Sequence, residues 1–192
     1  MNFYEMPQLG HIAESEMKEI LMLQERLKLM DSQEKCKSSF MEYIRYIWPG
    51  FIEGDHHRII AEKLTEVAQG KCKRLIVNMP PRHTKSEFAS VYFPSWIMGL
   101  KPEMKIMQTT HTADLSINFG RKVRNLMDTP EYNNLFSEVS LASDSKSAGK
   151  WQTSAGGEYF AAGVGGAIAG RGADLLIIDD PHSEQDAMSV NL

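Results

Sequence analysis

The sequence predicts an α/β domain in which a mainly parallel central sheet is flanked by helices. Short aliphatic and β-branched runs alternate with segments of helical periodicity, as in "MKIMQTT" followed by "ADLSINFGRKVRNLMD". The run "LLIIDD" places aliphatic residues directly ahead of two acids, which is typical of a strand buried in a parallel sheet. Both observations favour a sheet built from strand–helix–strand units.

Length and composition are those of one folded domain. The chain has 192 residues, of which 42% are hydrophobic and 24% are charged. A net charge of −4 excludes a uniformly basic surface but allows a local basic stripe for nucleic acid. Cys36 and Cys72 form no CxxC pair, so neither a disulfide framework nor a zinc site is indicated. Without a leader-like segment or an apolar run of about 20 residues, we expect a cytosolic protein that does not enter a membrane.

Residues 1–38 are predicted to form a helical arm and a linker. The segment "SEMKEILMLQERLKLM" has apolar residues near helical spacing from Ser15, the expected N-cap, to Met30. The polar stretch "DSQEKCKSS" then reads as a linker. The arm helix either packs on its own domain or binds a partner, and the sequence leaves both open.

The domain proper, residues 39–192, is predicted to begin with two helices and a strand. One helix ends before Pro49, and a second begins at Asp55, which caps it, and ends at Gly70. The basic and β-branched stretch "KRLIVNMPP" then predicts a buried strand over Leu75–Asn78.

Further helices and strands follow in the second half of the chain. A helix is expected from Thr84 to about Gly99, with Pro94 bending or interrupting it. "MKIMQTT" is a second strand and "ADLSINFGRKVRNLMD" a helix behind it. "KWQTSAGGEYFAAG" predicts two short strands joined by a glycine turn, and "DLLIIDDP" predicts the strongest strand of the chain.

The stretch "IVNMPPRHTKSEFAS" has the layout of a phosphate-binding loop between a strand and a helix. In the motif GxxxxGK[ST], backbone N–H groups surround the phosphates, the lysine reaches the β- and γ-phosphates, and the hydroxyl binds Mg²⁺. Lys85 and Ser86 occupy the last two positions, whereas Met79 and Thr84 replace both glycines. The predicted nucleotide-binding residues are Pro80, Pro81, Arg82, His83, Thr84, Lys85 and Ser86.

The missing glycines weaken the match to the sequence motif more than they weaken the expected ability of the loop to bind phosphate. Pro80 and Pro81 fix the start of the loop, and Arg82 adds a second cation with a planar fork suited to phosphate. We expect Thr84 to adopt a negative φ, because a β-branched residue is strained at positive φ. Taken alone, the segment is equally compatible with an ordinary turn that opens a helix.

The acids after "LLII" supply the second half of the predicted site. Parallel strands deliver such side chains to the carboxyl edge of a sheet, where ligands bind. Asp179 is expected to face Mg²⁺ held by Ser86, and Asp180 to orient the water that attacks the γ-phosphate, with Glu184 as an alternative base. The other interpretation is a solvated turn ended by Pro181.

The glycine-rich segment "GVGGAIAGRG" precedes a strand and opens no helix, so it does not match a dinucleotide-binding fingerprint. A loop beside the active site is expected instead. Arg171 lies in it between two glycines, and either reaches a neighbouring subunit's nucleotide or forms a structural salt bridge, for instance to Asp174.

Together these motifs resemble the N-terminal ATPase part of the large terminase subunit of tailed bacteriophages. The resemblance runs from about Phe40 to Gln185, through "FIEGDHHRII", "NMPPRHTKSE", "TTHTADLS" and "GVGGAIAGRGADLLIIDDP". Terminases have a variant phosphate loop with an extra arginine, which Arg82 matches. Members with "HGKS" keep a glycine where Thr84 stands here.

The resemblance implies a P-loop NTPase of the ASCE type that is truncated after its Walker B strand and lacks the nuclease domain. It implies ATP and Mg²⁺ as cofactors, with Lys85, Asp180, Arg82 and Arg171 as catalytic residues and Ser86 and Asp179 at the metal. The region of Phe51, His56 and His57 is similar to the segment that packs on adenine, although the two histidines also suit an exposed helix face.

The implied function is ATP-driven translocation of double-stranded DNA into a procapsid. The expected partners are DNA, the portal protein, the small terminase subunit and further copies of the chain in a ring, in the cytoplasm of the infected bacterium and not in the mature virion. A helicase-like DNA translocase and a non-hydrolysing interaction module of the packaging machine are the alternatives.

Overall fold

The computed structural model describes residues 14–166, 168 and 170–183. A five-stranded sheet and a set of helices make up this part of the chain. The strands are β1 (Lys105–Thr110), β2 (Leu141–Lys146), β3 (Lys150–Thr153), β4 (Glu158–Gly163) and β5 (Leu175–Ile178). The helices are α1 (Glu14–Ser38), α2 (Phe40–Ile47), α3 (Asp55–Ala68), a π-helical segment (Glu87–Tyr92), α4 (Phe93–Leu100), α5 (Ala113–Met127) and α6 (Pro130–Leu135).

The sheet is mixed, with the strand order β2-β3-β4-β1-β5. β1 pairs in parallel with β4 and β5, whereas β3 pairs in antiparallel fashion with β2 and β4. The α/β class is therefore confirmed, but the prediction of a mainly parallel sheet is wrong for the β2–β3–β4 half. Short connections join these three strands, and a short connection can only link antiparallel neighbours.

The predicted strand over Leu75–Asn78 does not join the sheet. Residues 74–80 carry no strand assignment and pair with none of the five described strands. Leu75, Val77 and Met79 pack against the core, whereas Ile76 is 85% exposed. The alternation of apolar side chains is thus present, but a ladder also needs a neighbouring strand, which a local pattern does not reveal.

β5 forms one edge of the sheet and is less buried than predicted. Ile177 is buried, but Leu176 and Ile178 are 54% and 56% exposed. The prediction of a strand buried on both faces is therefore wrong, although the strand itself is confirmed. Leu176 and Ile178 alternate with Ile177, so one face of β5 is covered and the other is open.

Helix α5 packs closely on the central strands. The Nε1–H of Trp151 donates to the carbonyl of Gly120 at 3.1 Å, and the hydroxyl of Ser116 donates to the carbonyl of Ala162 at 2.7 Å. A Cβ at Gly120 would lie 2.8 Å from the ring of Tyr159, so the absence of a side chain lets the helix approach the sheet.

An aromatic cluster joins α2, the π-helical segment and α4. The ring of Phe40 lies 5.7 Å from those of Phe88 and Phe93 and 5.4 Å from that of Trp96, each pair measured between ring centroids. All four side chains are buried. Because Phe88 lies three residues after Lys85, this cluster ties the start of the helical stretch behind the predicted phosphate loop to the core.

Next to Pro94, where a bend or interruption is predicted, the helical stretch changes from π-helical to α-helical geometry. Pro94 lies in the first turn of α4, directly after the π-helical segment, and the Phe93 N–H donates to the Phe88 carbonyl five residues back. Proline lacks an N–H donor, and the change from π to α geometry places it where that donor is not needed.

Helix α1 is longer than predicted and largely unpacked. It continues through the segment interpreted as a linker, and Ser15 lies inside it, not at an N-cap. Cys36 is buried near its end, where the Nε1–H of Trp96 donates to the Cys36 carbonyl at 2.8 Å. Its apolar residues upstream are exposed, so packing on its own domain is wrong for them: Met17, Ile20, Leu21, Met22, Leu23, Leu27, Leu29 and Met30.

The connection between α2 and α3 is held by one carboxylate. Arg45 donates to Glu53 from Nε at 2.8 Å and from Nη2 at 2.9 Å, and Arg58 Nε donates to the same carboxylate. These bonds and charges lower the pKa of Glu53 to about 2. Gly54 follows as the N-cap of α3, so the cap predicted at Asp55 is displaced by one residue.

The Glu53 carboxylate is expected to make folding acid-sensitive. Its pKa is lower in the folded chain, so its stabilising effect is complete above about pH 4.5, the ordinary value, and is lost as the pH falls toward 2. Glu53→Gln is expected to flatten the decline of the urea unfolding midpoint between pH 4.5 and 2. An exposed glutamate changed in the same way, Glu138→Gln, serves as the control. An acid profile of Glu53→Gln that overlaps the wild-type profile would contradict this role.

Candidate functional site

The predicted phosphate loop encloses a cavity of about 410 Å³. The segment 79–87 and the side chain of Asp180 line it. This volume lies within the usual range of small-ligand pockets. The seven predicted nucleotide-binding residues therefore share one concave surface with the second acid of the "DD" pair.

A larger cavity of about 490 Å³ lies between α2 and α3. Two of its cations are partnered within the protein, since Arg45 and Arg58 both bind Glu53, and the third, Lys71, lines the same wall as the acids Glu62 and Glu66. Since opposite charges balance there, this cavity lacks the convergent unpaired donors that an anionic ligand requires.

Lys85 converges with both acids of the strand end. Its Nζ lies 2.5 Å from Oδ1 of Asp180 and 3.3 Å from Oδ1 of Asp179. Burial lowers the pKa of Lys85, but the hydrogen bonds and charges of the two aspartates outweigh it, so the pKa is raised and the amine is charged. The structure thus brings three of the predicted site residues together across 95 positions of sequence.

The two acids differ in their surroundings. Asp179 is 6% exposed, and its Oδ2 accepts a hydrogen bond from the hydroxyl of Ser90 at 2.8 Å. The Asp180 side chain is 66% exposed and faces the cavity. The buried carboxylate is therefore fixed by a cation and a hydroxyl, whereas the exposed one is free to rotate once its bond to Lys85 opens.

Ser90 is a site residue that the sequence analysis did not identify. It lies four residues after Ser86 in the π-helical segment and is fully buried. A small polar residue four positions from the motif serine was the available signal. The signal was weak because the π-helical turns change the phase at which side chains face the sheet.

Backbone strain is concentrated at the loop and the strand end. Arg82 and Thr84 have φ values of 63° and 62°, and Asp180 has 45°. The expectation of a negative φ at Thr84 is therefore wrong. Thr84 takes the left-handed conformation that a glycine of the motif adopts without strain, and a β-branched residue holds it only when its surroundings impose it.

Other loop residues face the cavity or solvent. His83 Nδ1–H donates to the carbonyl of Pro81 at 2.8 Å, which closes a tight turn across Arg82. Arg82 is exposed and forms no ion pair with the described residues. Its guanidinium is therefore available to an anionic ligand at the cavity.

His57 lies directly behind the loop. It is 6% exposed, so an exposed helix face is wrong for this histidine, and its Nε2 lies 2.6 Å from Oγ1 of Thr84. The rings of Phe51 and Phe88 lie 4.8 Å and 5.2 Å from its ring. The segment "FIEGDHH" is thus in contact with the predicted nucleotide loop.

Arg171 lies apart from the loop cavity. Its Nη1 is 3.6 Å from Oε1 of Glu158, and its guanidinium carbon lies 4.0 Å from the centre of the Phe160 ring. Glu158 begins β4, whereas Asp180 follows the carboxyl end of β5, so the two groups lie toward opposite edges of the parallel strands. The intramolecular partner is Glu158, not Asp174. Glu184, the alternative base, lies outside the described residues.

The residues present fit a magnesium ion held mainly by phosphates. Mg²⁺ is commonly bound by one or two carboxylates and a hydroxyl together with phosphate oxygens and water. Asp179 supplies a buried carboxylate, and Ser86 is among the residues that line the cavity. Within residues 14–166, 168 and 170–183, no cluster of three or more histidine, cysteine or acidic side chains has the geometry of a protein-only metal site.

Comparison with protein families, curated proteins and solved structures finds no match for this chain. Over the described residues, no helix combines the length and apolar character that crossing a membrane requires.

Proposed function

We propose that this chain binds ATP with Mg²⁺ and is the ATPase part of a DNA-packaging motor of the terminase type. The observation that carries the proposal is the convergence of Lys85 with Asp179 and Asp180 at the cavity lined by the loop. A charged amine, two carboxylates and a turn at the start of a helix are the groups that triphosphate binding uses.

The loop and its cations would bind the phosphates. Lys85 and Arg82 contribute positive charge, and backbone N–H groups at the start of the helical stretch add hydrogen-bond donors. Asp179 and Ser86 would hold the magnesium ion, which when bound supplies positive charge that neutralises the phosphates. Positioning and electrostatics account for most of the catalysis expected at such a site.

The ion pair of Lys85 and Asp180 suggests how binding prepares hydrolysis. In this structure Lys85 contacts both carboxylates. A phosphate that attracts the Lys85 amine would release Asp180, whose exposed side chain then accepts a hydrogen bond from the attacking water. Binding and activation of the catalytic acid would thus be coupled through one lysine.

The larger assembly is proposed from the resemblance to large terminase subunits. The chain would act in a ring of identical copies with double-stranded DNA, the portal protein and the small terminase subunit, in the cytoplasm of an infected bacterium. Arg171 would reach a neighbour's nucleotide after leaving Glu158, at 3.6 Å in this structure. A helicase-like translocase would use the same site but separate the DNA strands.

The exposed apolar residues of α1 favour a second candidate, an interaction module of the packaging machine. Leu21, Met22 and Leu27 are 52%, 69% and 64% exposed. Exposed apolar side chains along one helix are a common feature of partner-binding segments. In this alternative the chain binds nucleotide without turnover.

Thermal stabilisation by ligand tests nucleotide binding directly. With Mg²⁺ present, ATP at a hundred times its Kd is expected to stabilise the folded chain by about 2.7 kcal/mol. For a chain of this size that raises Tm by about 5–10 °C. AMP, which lacks the β- and γ-phosphates, is the matched control and is expected to shift Tm little. EDTA is expected to reduce the ATP effect.

An unchanged Tm at millimolar Mg²⁺ and ATP would overturn the proposal. An equal shift with AMP would show that the phosphate loop does not recognise the triphosphate.

A further inference from the structure

The strained conformation of Thr84 needs a structural cause. Its φ of 62° is unfavourable for a β-branched residue, and the residue lies between the cavity and the first helical bond, from Phe88 N–H to the Thr84 carbonyl at 3.0 Å. Such a conformation persists only where neighbouring groups fix it. The Thr84 hydroxyl is the group through which the surroundings do so.

A directed chain of hydrogen bonds runs from α3 to this hydroxyl. The Gly54 N–H donates to Nδ1 of His57 at 2.9 Å, so Nδ1 is an acceptor and the ring proton is on Nε2. Nε2–H therefore donates to Oγ1 of Thr84 at 2.6 Å, and the Thr84 hydroxyl donates to the carbonyl of His83 at 2.6 Å. The Thr84 hydroxyl thus accepts one hydrogen bond and donates another, and only the neutral Nε2–H tautomer of His57 allows this arrangement.

Packing fixes the ring that carries this chain. The His57 ring is stacked on Phe88 and meets Phe51 edge-on. Burial lowers the pKa of His57, as do the neighbouring His56 and His83, while Glu53 opposes them, so the neutral form is favoured. Packing thus places the ring beside Thr84, and the lowered pKa of His57 disfavours a second proton.

We propose that His57 is a positioning residue of the phosphate-binding loop, which holds Thr84 in the left-handed conformation that a glycine would adopt unaided. The chain would thus replace the conformational freedom of glycine with a hydrogen bond from a neighbouring helix. This inference rests on the proposed function only for its effect on nucleotide binding. The conformational role of His57 stands on the contacts alone.

The principal test is a double-mutant cycle on the affinity for Mg²⁺–ATP. His57→Leu keeps an apolar side chain among the aromatic rings but removes both hydrogen bonds, and it is expected to weaken binding about tenfold. His57→Leu is then added to Thr84→Gly, and the affinity of the double variant is compared with that of Thr84→Gly alone. This second loss is expected to be less than about twofold, because glycine adopts the left-handed conformation without a hydrogen bond from His57. An equal loss in both backgrounds would overturn the proposal.

Two conservative comparisons separate positioning from general damage. His57→Gln retains a terminal N–H donor and is expected to recover most of the affinity lost in His57→Leu. Thr84→Val keeps the β-branched shape but removes the hydroxyl, and it is expected to bind about tenfold more weakly than the wild type, whereas Thr84→Ser keeps the hydroxyl and is expected to bind within about twofold of it. If His57→Leu does not fold, the valine and serine pair decides the question, and equal affinities would refute the anchor.

Hydrogen exchange makes the inference independent of nucleotide binding. Amide exchange of residues 82–86 is expected to be faster in His57→Leu than in the wild type, and this acceleration should largely disappear in the Thr84→Gly background. Unchanged exchange in His57→Leu would overturn the role of His57 even if ATP binds. Faster exchange in a chain that binds no ATP would retain the positioning role and reject the proposed function.

Discussion

Lys85→Ala is expected to weaken the binding of Mg²⁺–ATP by about a hundredfold or more. The substitution removes the amine that the site would offer to the phosphates and leaves Asp179 and Asp180 without their shared cation. A charge-assisted hydrogen bond contributes about 1.5–3 kcal/mol, and about 1.4 kcal/mol corresponds to a factor of ten in affinity. Repulsion between the carboxylates and the phosphates adds to the loss. Isothermal titration calorimetry measures the effect.

An exposed lysine away from the cavity provides the matched control for this experiment. Lys35 pairs with Asp31 at 2.6 Å, and its side chain is 62% exposed on α1. Lys35→Ala removes the same charge and a surface ion pair, and neither partner lines the cavity, so its affinity is expected to remain within about twofold of wild type. Equal affinities of Lys85→Ala and the wild type would remove the phosphate-binding assignment of the loop.

Trp151→Ala is expected to destabilise the folded chain by about 3–5 kcal/mol, the usual cost of truncating a buried aromatic residue. The Trp151 side chain is fully buried and stacks on Tyr159, with ring centroids 4.9 Å apart and an interplanar angle of 3°. Its removal also leaves the Gly120 carbonyl without the Nε1–H donor. Because Trp151 connects β3 to β4 and to α5, its truncation would leave an empty space between the sheet and this helix.

Urea unfolding monitored by circular dichroism provides the free energy for Trp151→Ala. Met22→Ala, in the exposed part of α1, is the control and is expected to change stability by less than about 0.5 kcal/mol. The Met22 side chain is 69% exposed. A Trp151→Ala variant as stable as this control would mean that β3 and α5 do not form the packed interface described above.

The sequence predicts those elements whose formation depends on local pattern. β1, α5, the β3–β4 pair and the strand β5 were all indicated by periodicity and turn residues, and all are present. The helix α6 and the strand β2 were not identified, since "PEYNNL" is short and "LASDSK" is polar. Segment 74–80 was assigned wrongly because its strand pattern says nothing about whether a neighbouring strand is available.

The site was predictable where its residues belong to a motif in a fixed order. The order of loop and acidic strand placed Lys85 with Asp179 and Asp180 at one sheet edge, and the structure brings them together. The contacts of Ser90 and His57 were not predictable, because they depend on how the π-helical segment and α3 are oriented against the loop. The prediction of a negative φ at Thr84 is wrong for the same reason, because His57, which contacts the Thr84 hydroxyl, is 27 residues away in sequence.

The π-helical segment also affects how this chain should be aligned with others. Its closing bond joins Phe93 to Phe88, so this stretch accommodates a residue that a regular α-helix would not. A homologue with an unbroken α-helix here would be one residue shorter between Ser86 and Phe93. An alignment without a gap at that point would rotate every later helical position by about 100° and pair Ser90 with a residue that faces elsewhere.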